Sequence, residues 1–120
     1  MNTRALTTAT LAGTVLQIAM VCAGHYSPAV AKLFAVGGMG FSLVAGVLYA
    51  RFASPTTRGD ATVGGLVAGA VCAFLGILVS YLLHDVPASL LALGTISSAV
   101  TGAIGGAIGG IGRRSLAAAR

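Results

Sequence analysis

The sequence predicts an all-α integral membrane protein: a single domain over residues 1–120, with four transmembrane helices in an antiparallel bundle and glycine-rich, close-packed interfaces. Three observations predict it. Hydrophobic residues make up 57% of the chain and charged residues 8%, with a mean hydropathy of +0.98; soluble domains carry about 25% charged residues. The three prolines, Pro28, Pro55 and Pro87, punctuate the chain into four apolar runs. Small residues recur every fourth position along the last run, a spacing that places them on one side of a helix.

The runs are taken in order as Ala5–Ala23, Ala29–Ala50, Thr62–Leu83 and Ala88–Gly112. Each is roughly 19–25 residues, enough to cross about 30 Å of hydrocarbon as helix. The first run follows Arg4 and ends near Cys22, so it imitates a secretory signal. Ala19, Met20 and Val21 are poor residues before a cleavage point, and the run is long for a signal core, so a retained helix is expected. Thr3, Thr7, Thr10, Thr14 and Gln17 share one arc of that helix at the helical period. The second run carries the small-residue row Gly38, Ser42, Gly46 and Ala50, with Lys32 about one turn inside its start. The third carries Gly64, Ala68, Cys72, Gly76 and Ser80.

In the fourth run Gly94, Ser98, Gly102, Gly106 and Gly110 form one row, and Ser97, Thr101, Gly105 and Gly109 a second. Ile96, Val100, Ile104, Ile108 and Ile111 fall on the other side. In water each interior glycine costs about 1 kcal/mol against alanine. In a bilayer the backbone has no alternative partner, so the helix forms and its smooth side admits a neighbour closely. The connections between runs are short, so consecutive helices are expected to be antiparallel neighbours.

The net charge of +5 comes from seven Lys and Arg against Asp60 and Asp85. These charges sit at the ends of the apolar runs and form no basic, aromatic-bearing face, which excludes nucleic acid as a partner. Sorted by side, Arg4, Arg51, Arg58, Arg113, Arg114 and Arg120 lie on one, and Lys32 on the other. By the positive-inside rule both termini face the cytoplasm, in a plasma or inner membrane type of bilayer. Cys22 and Cys72 lie at different depths of different runs and are expected to remain free thiols.

Three groups of residues are candidates for function. The stripe Thr7, Thr10, Thr14 and Gln17 either bonds within the helices or lines a narrow wet path; an unpaired amide at the depth of Gln17 costs several kcal/mol. The face Gly94, Ser98, Gly102, Gly105, Gly106, Gly109 and Gly110 packs within the protomer, packs between copies, or lines a pathway. An outer-rim cluster of His25, Tyr26, His84 and Asp85 could meet if the first and third helices end together, an inventory able to bind a metal or sense pH. No HxxxH or CxxC spacing supports a metal there, and no metal or cofactor is expected.

No Asp or Glu lies inside any run, although carboxylates are the usual carriers of proton-coupled exchange. No phosphate-binding loop or nucleophile elbow is present, so no enzyme is expected. Size and layout resemble small multidrug resistance transporters and small fluoride channels. Those transporters depend on a glutamate in the first helix, where this chain has Thr14 and Gln17. The channels need a buried asparagine, and Asn2 is the single asparagine here. The residues therefore assign the chain to neither family.

The expected function is that of a self-associating structural or accessory protein of a membrane assembly. Its partners would be the lipid bilayer and further copies or other membrane subunits. The alternative is a passive oligomeric pore for water, small neutral solutes or weakly selected ions.

Overall fold

The computed structural model describes residues 2–53 and 57–118; the side chains of residues 31, 34, 35 and 110–118 lie outside that description. The described residues are helical with short turns and contain no strand. Helix α1 spans Thr3–Tyr26, α2 is the single turn Pro28–Ala31, α3 spans Phe34–Phe52, α4 spans Arg58–Leu82 and α5 spans Ser89–Ala118. Three helices are long and apolar enough to cross a membrane: α1, α4, and α5 over Ser89–Gly109. The apolar part of α3, Val36–Phe52, is shorter.

Polar caps set the helix starts earlier than the apolar runs suggest. The Asn2 side chain accepts from the N–H of Ala5 at 3.0 Å, which begins α1 at Thr3. Thr57 does the same for Asp60 at 3.0 Å and begins α4 at Arg58. Each cap satisfies an N–H that the helix itself leaves without an acceptor, and Asp60 lies in the first turn, where the helix dipole favours a negative charge.

The second run is not one helix from Ala29. Pro28 stands at the first position of α2, the N–H of Lys32 donates back to Pro28, and that of Leu33 donates to Val30. Leu33, with φ −96° and ψ 3°, is the break before α3. Lys32 therefore sits exposed at this turn rather than one turn inside a continuous helix. Pro87 precedes α5, and Pro55 lies outside the described residues.

α3 and α4 pack on each other, with α1 against one side of the pair and α5 against the other. The core cluster is made of small side chains, Ala5, Ala9, Ala45, Ala53, Ala68 and Cys72, around Tyr49, the largest fully buried side chain among the described residues. Large aliphatics point outward instead, among them Leu11, Val15, Val63, Leu93, Ile96, Val100 and Ile104. This distribution is the reverse of a soluble core and leaves the apolar bulk for a non-aqueous surrounding.

The two small-residue rows of the last run meet two different helices. A Cβ at Gly102 would strike the carbonyl of Gly65 and come within 2.9 Å of the Gly69 Cα on α4. At Gly106 it would strike the carbonyl of Ala61, also on α4. At Gly105 it would strike the Leu43 carbonyl on α3, and at Gly109 it would lie 2.9 Å from the Ala50 Cβ. The row Ser98, Gly102 and Gly106 thus turns its Cβ side to α4 while its backbone also abuts Gly46 on α3, and the row Gly105 and Gly109 faces α3.

Candidate functional site

The end of the molecule opposite Arg4, Arg51 and Arg58 is less tightly filled. A cleft of about 490 Å³ opens there between α1, α3, α4 and α5. Its mouth carries Lys32 and Asp85, and its floor carries Gln17, Gly38 and Ser98. Met20 and Val21 of α1, Ile77 and Ser80 of α4, and Leu90 and Leu93 of α5 supply the walls. Gln17 lies nine residues before the end of α1, so the floor is about 13 Å below that end at 1.5 Å per residue.

Gln17 is 2% exposed. Its Nε2 donates to the Gly38 carbonyl at 2.9 Å and to the Ser42 Oγ at 3.3 Å. Ser42 donates in turn to the Gly69 carbonyl at 3.3 Å, and Cys72 donates to that same carbonyl at 3.4 Å. One amide therefore ties α1 to α3, and one hydroxyl extends the tie to α4. The Gln17 bonds all use the amide nitrogen. Gln17 can seat here because Gly76 faces it: a Cβ on Gly76 would lie 2.7 Å from the Gln17 Cβ.

Immediately below this knot the interior closes. A Cβ on Gly13 would lie 3.0 Å from both the Ala45 Cβ and the Cys72 Sγ, and Tyr49 fills the space beyond. Tyr49 is fully buried, donates to Asp60 Oδ2 at 2.9 Å and accepts from the N–H of Asn2 at 3.1 Å. Its ring lies in the notch left by Gly64, where any Cβ would overlap it. The sequence reading missed this three-helix network. Thr57 followed three residues later by Asp60 is the helix-start pattern that could have drawn attention to it.

The threonine stripe is not assembled into one lining. Thr7 is exposed and donates to the Thr3 carbonyl of its own helix at 2.9 Å. Thr10 and Thr14 are half-buried, and Thr14 Oγ1 is buried without a partner. Of the four stripe residues, Gln17 lines the cleft. The glycine face is not opposite the stripe, because α3 and α4 lie between α1 and α5. Within that face Ser98, Gly102, Gly105, Gly106 and Gly109 are buried and Gly94 is half-buried, while Gly110 falls outside the described side chains.

The rim cluster assembles in part. His25 Nδ1 and Asp85 Oδ2 are 2.9 Å apart, and Tyr26 meets the His25 ring edge-on at 5.0 Å. Both members of the pair are partly exposed, 34% and 27% by side chain, so the contact contributes at most about 1 kcal/mol. No group of three or more His, Cys, Asp or Glu able to hold a metal occurs among the described residues.

His84 serves the rim through its backbone. Among the described residues it is the non-glycine residue with positive φ, 63°. Its N–H donates to the Tyr81 carbonyl at 2.9 Å, and that of Asp85 donates to the Ser80 carbonyl at 3.0 Å. That pair of bonds closes α4 in a Schellman motif with His84 in the left-handed position. The turn carries Asp85 to His25 and to the mouth of the cleft. A side chain in this conformation costs about 1 kcal/mol, so His84→Gly is expected to stabilise the fold by up to about 1 kcal/mol in a detergent unfolding titration. A loss of stability would assign the imidazole a contact of its own.

Comparison with protein-family models, curated proteins and solved structures finds no match to this chain.

Proposed function

We propose that the chain is a four-span membrane protein with both ends on the cytoplasmic side. It acts as a non-enzymatic structural or accessory component of a membrane assembly and not as a pore on its own. The observation that carries this reading is the closed interior between Gln17 and the Arg51 end, where Gly13, Ala45, Cys72 and Tyr49 leave no room for a solvated path.

Three features support the membrane part. The apolar bulk faces outward along α1, α4 and α5. α3, at 19 residues, measures about 28 Å, close to the thickness of the hydrocarbon core. The turn with Lys32 then falls at the outer interface, where a lysine reaches headgroups. Arg4, Arg51 and Arg58 gather at the opposite end, as the positive-inside rule requires of a cytoplasmic face.

In this reading the glycine rows give close packing inside one protomer. Contact with a second copy or another subunit falls to the outward ridge Ile96, Val100, Ile104 and Ile108 on α5. The floor of the cleft presents amide and hydroxyl groups, which suit binding, and its charged side chains, Lys32 and Asp85, stand at the mouth. A proteoliposome flux assay tests the reading: ion leak and osmotic water entry are expected to equal those of empty liposomes. Flux well above that background, reduced by Gln17→Leu, would instead make the protein a pore with Gln17 on its wall.

A further inference from the structure

The cleft is lined by a buried hydroxyl that has no hydrogen-bond partner. Ser80 is 2% exposed, lines the cleft, and its hydroxyl makes no hydrogen bond. Gln17 lines the floor of the same cleft, with its amide nitrogen already bonded to Gly38 and Ser42. A buried polar atom without a partner is costly, and such atoms in a folded protein call for a cause. Neighbouring hydroxyls show the ordinary solution: Ser97 and Thr101 donate back to carbonyls of their own helix at 2.9 Å. Ser80 does not.

The walls are apolar, and the volume of about 490 Å³ falls within the range of small-molecule sites, roughly 300–1,000 Å³. The charged side chains on the lining are Lys32 and Asp85, both at the mouth, with Asp85 held by His25. One lysine and one aspartate leave the lining with no net charge to attract an ionised head, so the occupant is neutral. The cleft also reaches the outer surface sideways. Met39 of α3 and Leu93 and Ser97 of α5 line it and are exposed, so it is open to the surroundings beside these residues.

We propose that this cleft binds an uncharged, lipid-like alcohol that enters from the bilayer between α3 and α5, hydrogen-bonds through its hydroxyl to Ser80 in the last turn of α4, and lays its chain along the apolar walls. A hydroxyl suits Ser80, because it can both donate to and accept from a serine. A plain alkyl chain fills the same space and leaves Ser80 unpaired. This inference rests on the membrane reading above, which the flux assay and side-specific labelling test separately.

The experiment uses the full chain in lipid nanodiscs and a diazirine-bearing hexadecanol as the probe, with cross-links mapped by mass spectrometry. Saturable labelling around Met20, Met39 and Leu93 is expected. Unlabelled hexadecanol should compete at least about tenfold better than hexadecane or palmitate, each tenfold corresponding to about 1.4 kcal/mol. Ser80→Ala is expected to weaken probe binding about tenfold while thermal stability stays equal or rises, because the variant removes an unsatisfied hydroxyl. Ser97→Trp, at an exposed position, should block labelling at all three residues in a folded protein. Equal competition by hexadecane would overturn recognition of the hydroxyl, and stronger competition by palmitate would overturn neutrality. Labelling unchanged in both variants, or no saturable labelling of folded wild type, would overturn the site.

Discussion

Gly102→Leu is expected to prevent the chain from reaching its folded state. The position is crowded by backbone rather than by side chains: the Gly65 carbonyl and the Gly69 Cα stand where a Cβ would go. Backbone in a helix cannot swing aside as a rotamer can, so α4 and α5 would have to separate along their length. Even Gly102→Ala is expected to cost about 3 kcal/mol, the upper part of the usual range for overpacking. The control is Gly40→Ala, where an added Cβ meets nothing within 4 Å and stability should change little. Gly94→Ala falls between, because its nearest neighbour is the Cδ1 end of Ile77, a flexible side chain. Unfolding each variant by SDS titration in mixed micelles ranks the three sites. Equal tolerance at Gly102 and Gly40 would mean that α5 does not lie against α4.

Tyr49→Ala is expected to cost about 3–5 kcal/mol, the range for deleting a large buried aromatic side chain. Tyr49 is the largest fully buried side chain, and the surrounding alanines are too short to fill the void. Tyr49→Phe separates packing from hydrogen bonding. It keeps the ring in the Gly64 notch and removes the bonds to Asp60 and to the N–H of Asn2, for an expected loss of about 1–2 kcal/mol. The same micelle titration checks both. A Phe variant as damaged as the Ala variant would place most of the contribution in the hydroxyl network.

The all-helical fold and the three long spans were legible because hydropathy and proline placement act locally. The break in the second run was less so: Lys32 is charged, yet it is the combination of Pro28 with bonds to Pro28 and Val30 that turns the chain. Gly102 and Gly105 were recognisable as contact positions from their spacing. Which neighbour each would meet depends on how helices distant in sequence are arranged, and spacing along one helix does not encode that. Gln17 stood out for the same local reason, an amide within an apolar run. The cleft above it did not, because its walls come from four helices, and the orphaned hydroxyl of Ser80 looks in sequence like one more small residue in a packing row. His84 was singled out for its imidazole, whereas its distinctive property is a left-handed backbone that swings Asp85 to His25.

In the proposed arrangement α3 crosses the membrane and makes the fourth span, and its two ends decide it. In a background of Cys22→Ala and Cys72→Ala, Ser27→Cys and Thr57→Cys are introduced singly and exposed to a membrane-impermeant maleimide in intact cells. Labelling is expected of the Ser27→Cys protein in intact cells, and of the Thr57→Cys protein once the membrane has been permeabilised. Labelling of both from the same side would show that α3 does not cross, and the four-span arrangement would be wrong.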